Sequence, residues 1–236
     1  FYLAYQPIMG RDREVVGAEA LLRWNTAEFD SISPEQFIPV AESSGVIQEL
    51  GAWVLEEAAS KRAALAKLGF DGFLSVNISA YQLRNSGFID YVKALLRRHR
   101  IKPGWLHFEL TETSLMATDG VGIEVLEKLR ALGLSLAIDD FGKGYSSLSY
   151  LRHLPVQTLK IDRSFIMGIL ESAEDRSIIQ SISNLAEGLG LQVVAEGVET
   201  DEHFVSVRES RCNAFQGYLF SRPVAYDSFV GLISTK

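Results

Sequence analysis

The sequence has a single cysteine, Cys212, so no disulfide can close within the chain. That fits a reducing compartment, and a lone cysteine of this kind reads as a small buried hydrophobe. The four histidines, His99, His107, His153 and His203, stand at no zinc-ligand spacing. Prolines number only 6, and no Ser/Gly/Pro-rich linker or low-complexity tract divides the chain. One domain over residues 1–236 is therefore expected. No apolar run reaches the length of a membrane span, and no signal-peptide pattern opens the chain. Positive charge is also short: 23 Lys and Arg face 30 Asp and Glu, a formal charge of −7. That argues against direct binding to DNA or RNA duplexes, which needs a basic face. The one basic cluster, Arg97 to Arg100, is expected at the C-terminal end of a helix, where cations suit the dipole. The chain opens without Met in the strand-like "FYLAYQPI". It is expected to be a cytoplasmic piece of a longer protein, compatible with a membrane-anchored parent.

What is present is alternation. Short apolar runs are separated by stretches of helical periodicity. The expected strands are "YLAYQPI", "VVGAEALLRW", "FLSVNIS", "WLHFELTE", "LSLAIDD", "TLKID", "LQVVAEGVE" and "AFQGYLF". One helix begins with Ser33 as N-cap and Pro34 at its first position, and stops at Gly45. Others cover "QELGAWVLEEAASKRAALAKLG", "GVGIEVLEKLRALG" and "AEDRSIIQSISNLAEGLG", each ending at Gly. Serial βα units give a parallel sheet, and eight strands in this length favour a (β/α)8 TIM-like barrel. "QPIMGRDREVVG" looks like a hairpin, so the first strand is expected to be irregular and partly antiparallel.

Catalytic groups of such a barrel sit at the carboxyl ends of its strands. Here one apolar run after another ends in a polar group: Glu19, Asn77, Glu109 with Glu112, Asp139 with Asp140, Lys160 with Asp162, Glu196, and Gln216. Any one of these could cap a helix or meet solvent. Solvent-facing ends, however, would carry Lys, Ser and Thr as often as acids. Carboxylates crowded at one mouth raise each other's pKa, and bound divalent cations relieve them. Oxygen donors without Cys or clustered His suit Mg²⁺ or Mn²⁺. The adjacent Asp139 and Asp140 could serve two ions, one of them bridging, as in two-metal sites for displacement at phosphorus.

"EALLRW" at Glu19–Trp24 resembles the signature of the EAL family of cyclic di-GMP phosphodiesterases. "YQPI", "FIPVAE", "SVNIS", "ELTET", "IDDFGKGYSSL", "LKIDRSF", "VVAEGVET" and "QGYLFSRPV" also resemble family blocks, in family order, from Tyr5 to Val224. The resemblance implies a barrel enzyme that cleaves one phosphodiester bond of cyclic di-GMP to give linear pGpG. It implies two ions per site, Mg²⁺ or Mn²⁺. Glu19, Asn77, Glu109 and Asp139 would hold the first, and Asp139 with Asp140 the second, with Glu196 nearby. Lys160 would orient the attacking water, Gln216 would bond around the cations' waters, and Glu112 would hold the "DDFGKGYSS" loop. Gln6, Arg23, Asp162, Gly217 and Pro223 match positions near the nucleotide. Ca²⁺, larger and less strict in geometry, is expected to bind but inhibit. The resemblance further implies a homodimer built near "GYSSLSYLRHL", and an upstream sensor or cyclase domain in the full-length chain.

Lys143 departs from the small residue more usual in that loop, beside the acid pair. Two rival readings stay open. One is a non-catalytic cyclic di-GMP receptor of the same family, which would be expected to have lost metal ligands. The other is an unrelated Mg²⁺-dependent barrel lyase or aldolase using Lys160 as base or Schiff-base amine.

Overall fold

The runs rich in Val, Ile, Leu and Phe pair in chain order until the sheet closes on itself. The computed structural model describes residues 1–26, 32–116, 120–143 and 151–234. Its strands are β1 (Tyr2–Met9), β2 (Val15–Arg23), β3 (Phe73–Asn77), β4 (Leu106–Thr111), β5 (Ser135–Phe141), β6 (Thr158–Ile161), β7 (Gln192–Glu196) and β8 (Ala214–Gln216). They form a closed barrel in sequence order. β2 to β8 run parallel. β1 runs antiparallel to both of its neighbours, with Tyr2 opposite Arg23 and Met9 opposite Phe215. The first strand, expected to be irregular and partly antiparallel, is antiparallel throughout with a register shift at Ile8/Met9, and its hairpin turns through Arg13 in the left-handed region.

Alternation along the strands separates two layers. Leu74, Val76, Phe108, Leu110, Leu136, Ile138, Leu159, Ile161, Val193, Ala195 and Phe215 are buried in the main apolar core. The acids, amides and lysine of interest occupy the intervening positions and face the barrel axis. Among the helices, α1 (Pro34–Ser44) begins after Ser33 as expected, and the Gln36 side chain accepts a bond from the Ser33 N–H. Its C-cap is Gly45 at φ 81°. α2 (Ile47–Lys67) starts one residue before the expected run. Phe37, Ala41, Ile47 and Leu50 form a second small core that ties α1 to Leu22 and Trp24 beyond the barrel rim.

The basic run does end a helix, α4 (Phe88–His99), which follows the single turn α3 (Ala80–Leu83). Arg98 and His99 both reach Glu56 of α2, at 2.8 Å each. Among the described residues, the remaining helices are α5 (Glu112–Met116), α6 (Gly120–Ala131), α7 (Arg163–Gly168), α8 (Ala173–Leu189), α9 (Asp201–Glu209) and α10 (Tyr226–Ser234). Among the described residues no helix is long and apolar enough to cross a membrane. Of the segment expected near a dimer contact, Gly144–Tyr150 lies outside the described residues, while Leu151 and Leu154 are buried in the main core.

The strands' amino ends enclose a cavity of about 240 Å³, lined by Ile8, Phe73, His107, Thr158 and Val193 and reaching Glu109 and Lys160. There the His107 ring lies flat on Phe73, centroids 3.9 Å apart. Burial lowers His107 from 6.5 to about 4. An unfolded chain takes up this proton near its ordinary pKa, the folded one only near the lowered value. The penalty is thus absent above the ordinary value and grows as pH falls. Relative to His107→Phe, the native protein should lose about 2 kcal/mol between pH 7 and pH 4.5. Urea unfolding of both proteins at the two pH values checks this, and a pH-independent difference would contradict it.

Candidate active site

Strand register alone brings the polar groups side by side. Gln6 is the Cα partner of Glu19 across β1–β2. Asn77 pairs with Glu109 across β3–β4, and Glu196 with Gln216 across β7–β8. Side chains two apart on a strand share a face, so Thr111 and its partner Asp139 extend the same surface upward.

At the centre stands the ammonium of Lys160, buried at 1 % exposure. Its Nζ lies 2.7 Å from Glu109 Oε2, 2.7 Å from Glu196 Oε1, 3.1 Å from Glu19 Oε2 and 3.2 Å from Asp139 Oδ1. Asn77 Nδ2 donates to Glu19 Oε1 at 2.7 Å, and Gln216 Nε2 donates to Glu19 Oε2 at 2.8 Å and to Gln6 Oε1 at 3.0 Å. Gln6 in turn donates to the Ser221 carbonyl. Burial presses hardest on Glu19, but Lys160, Gln216 and Asn77 together outweigh it and hold this acid below its ordinary value.

The other acids lack that support. Burial first, then Glu19 and Asp139, push Glu109 well up against the pull of Lys160. Asp139 is raised by burial, with Lys160 opposing and Glu19 and Asp140 adding to the rise. Burial lifts Glu196 to about 8, despite Lys160, with help from Asp139 and Glu19. Lys160 itself is held charged: burial works against it, but Asp139, Glu109, Glu19 and Glu196 raise it well above an ordinary lysine. One ammonium cannot balance four carboxylates.

Asp139 and Asp140 part company at a bulge. The β5–β6 register shifts between Ile138 and Phe141, and Asp140 takes φ +55°. Asp139 thereby joins Glu19 and Glu109, while Asp140 joins Asp162 and Glu196 in a second group. Within each group of three, one carboxylate oxygen per residue lies within 4.8 Å of the others. Both donor sets are oxygen only, which suits a hard divalent cation. Gln216 Oε1, buried and without a partner among the described residues, is an acceptor that a cation's hydration shell could satisfy.

Glu112 Oε2 accepts the Gly142 N–H at 2.9 Å and so pins the start of the loop after β5. Asp162, expected near the nucleotide, has a role in the fold. Its Oδ1 caps α7 by accepting from Ser164 N and Oγ, at 2.9 and 2.5 Å. Burial would raise Asp162, but bonds from Lys143 and Ser164 bring it down to about 2.

Above the acids opens a cavity of about 220 Å³, lined by Gln6, Glu19, Asp139, Glu196, Gln216 and Gly217, together with Leu21, Arg163, Glu199 and Tyr218. A Cβ on Gly217 would fall 2.0 Å from Val198 O. This glycine, expected near the nucleotide, is thus crowded by the chain's own backbone at Val198. Arg23 lines a neighbouring apolar cavity of about 260 Å³ with Pro34, Ile38 and Asn77, and donates to the Leu22 carbonyl. Pro223 does not line the mouth cavity; it precedes Val224, which bridges to Tyr5. Arg163 and Tyr218 carry no expectation from sequence, although both lie within quoted blocks, directly after Asp162 and Gly217.

A family profile described as EAL domain matches residues 1–223. The bifunctional diguanylate cyclase/cyclic di-GMP phosphodiesterase MucR of Pseudomonas aeruginosa is 39% identical over 234 residues, 98% of this chain and 34% of that protein. The cyclic di-GMP phosphodiesterase NbdA of the same organism is 45% identical over 224 residues, 94% of this chain and 29% of that protein. The chain thus spans about a third of the length of these curated relatives. A solved structure described as PaMucR phosphodiesterase in complex with c-di-GMP is 40% identical, with a TM-score of 0.91, covering 96% of this chain and 93% of that one.

Proposed function

Because this chain belongs to the EAL domain family, we infer that its barrel mouth binds cyclic di-GMP and hydrolyses one phosphodiester bond to give linear pGpG. The observation that carries this reading is the convergence of Glu19, Glu109, Asp139 and Glu196 on one ammonium, with a second acid trio beside it. Three carboxylates in each of two groups, against the ammoniums of Lys160 and Lys143, leave a formal charge of −4. Two divalent cations would cancel it, and a dianionic substrate could then enter.

Glu19, Asn77, Glu109 and Asp139 would hold one cation, Asn77 turning its carbonyl oxygen to it. Asp139, Asp140, Asp162 and Glu196 would hold the other. When bound, two such ions polarise the phosphate and acidify the attacking water. Lys160, fixed in its charged form, cannot act as that water's base; its ammonium would orient the water by donation once cations take over part of its four carboxylates. Glu196, at the cavity wall, is the acid placed to accept a proton. Glu112 keeps the loop at Gly142 in place, and Gln6, Arg163 and Tyr218 line the space for the nucleotide.

Two similar proteins support this substrate by name, MucR and NbdA. A Schiff-base lysine needs a depressed pKa, and the opposite shift at Lys160 weighs against the aldolase reading. The receptor reading would be expected to show lost ligands, and every expected one is present. We propose Mg²⁺ or Mn²⁺ as the ions, with Ca²⁺ inhibitory, within one domain of a longer, dimeric signalling protein.

Single-turnover incubation with cyclic di-GMP and Mg²⁺ or Mn²⁺, with products separated by chromatography, tests the reading. Linear pGpG is expected, and none in excess chelator. Tight binding without product would move the chain to the receptor class. Full turnover in chelator would remove the metal requirement.

A further inference from the structure

Lys143 sits where a cation is expected. Its Nζ is 2.8 Å from Asp140 Oδ1 and 2.8 Å from Asp162 Oδ2. Those acids, with Glu196, make up the second oxygen group. Asp162 has one oxygen to share. Its Oδ1 is committed to capping α7, so Oδ2, the oxygen that Lys143 holds, is the one left for a cation.

The placement is built into the backbone. Asp140 at φ +55° and Gly142 at φ +104° turn the chain sharply after β5. A side chain at Gly142 would strike the Phe165 ring at 2.7 Å, and Glu112 holds the Gly142 N–H. Lys143 therefore leaves the turn close to the acids.

The two ammoniums of the mouth differ in one respect. Lys160 is locked inside the barrel at 1 % exposure, whereas the Lys143 side chain is 53 % exposed and free to swing into solvent.

We propose that Lys143 is an intramolecular competitor for the second cation: its ammonium holds the Asp140–Asp162 end of that site and must leave before a divalent ion can bind there. The proposal rests on the two-cation reading above. An ion at this site needs carboxylate oxygens at close range, and an ammonium on the same oxygens is excluded by both space and charge. The apparent affinity is then reduced by the fraction of chains in which Lys143 has swung away. The first group, Glu19, Glu109 and Asp139, is not touched by Lys143; Lys160 holds one oxygen of each of these acids and stays in place whether or not Lys143 swings. The cost of displacing a side chain therefore falls on the second ion alone, the weaker of the two.

Mn²⁺ titration of the protein without nucleotide tests this, with free Mn²⁺ read by electron paramagnetic resonance and heat by calorimetry. The native chain should show a tight and a weak step. Lys143→Met should tighten the weak step by about tenfold and leave the tight one unchanged. Lys143→Arg, which keeps the charge, should stay weak. In the native chain, acylation of Lys143 by an amine-reactive reagent, read by mass spectrometry, should speed up at saturating Mg²⁺. A weak step unchanged or weakened in Lys143→Met overturns the proposal, as does binding of fewer than two ions by both proteins. None of these readouts uses turnover. A chain that shows the predicted pattern yet leaves cyclic di-GMP intact keeps the competitor and loses the phosphodiesterase reading.

Discussion

Glu19→Gln should lower hydrolysis of cyclic di-GMP by at least about a thousandfold, equivalent to roughly 4 kcal/mol of transition-state stabilisation. Glu19 is the acid of its group held below its ordinary value, because Lys160, Gln216 and Asn77 all donate to it, whereas Glu109 and Asp139 are raised. Both of its oxygens receive donors, so a glutamine amide turned either way sets an N–H against another donor. Cation affinity at the first group should fall with activity. The fold should survive, because removing one carboxylate from a mouth with excess negative charge also relieves repulsion. Circular dichroism should be unchanged and the melting midpoint should stay within about 5 °C. Glu19→Ala, which adds no misdirected donor, serves as the second variant. More than a tenth of native turnover in both would mean that the site is misassigned.

Lys160→Met should act on activity and stability together. Loss of the ammonium removes a preorganised donor, a change worth about 10²–10³ in rate. It also leaves Glu19, Glu109, Asp139 and Glu196 facing one another with no buried counter-charge. Breaking a buried ion pair by deleting one partner costs about 3–5 kcal/mol. Saturating Mg²⁺ or Mn²⁺ should restore part of that loss. The pH dependence follows from the acids. Glu109, Asp139 and Glu196 already bind protons more tightly folded than unfolded, and more so without Lys160. Groups with raised folded values favour folding at low pH and lose that contribution as pH climbs through those values. The variant should therefore be more impaired at pH 8 than at pH 5. Guanidinium unfolding at both values, with and without cation, measures this. A cation-free variant as stable as the native chain at pH 8 would refute the electrostatic account.

Much of this site could be read before any coordinates. Glu19, Asn77, Glu109, Lys160, Glu196 and Gln216 each follow an apolar run, and a barrel gathers the ends of such runs at one rim. What the linear pattern hides is direction. The adjacent aspartates are visible as a pair, but their assignment to different oxygen groups depends on the positive φ of Asp140. Lys143 stands out as a departure, yet its bond to Asp162 crosses from one loop to the next strand's end. Gly217 reads as an approach to ligand and is first an approach to Val198. That contact also explains why the last strand ends at Gln216, short of the expected run: Leu219 N–H bonds to Val198 O instead of continuing a ladder. The expected third and seventh strands likewise end early, at Asn77 and Glu196.

The reversed first strand has a consequence for wiring. In a barrel of eight parallel strands, the chain enters at the floor, a strand's length from the chemistry. Here β1 descends from the mouth, so Tyr2 lies beside Arg23 at the rim and Phe1 stacks on Trp24, centroids 5.1 Å apart. Any polypeptide joined ahead of Phe1 is delivered to the rim that carries the acid groups. A push or twist on that leash would bear on β1, which carries Gln6, and on the Trp24–Phe37 contact behind Arg23, without crossing the barrel.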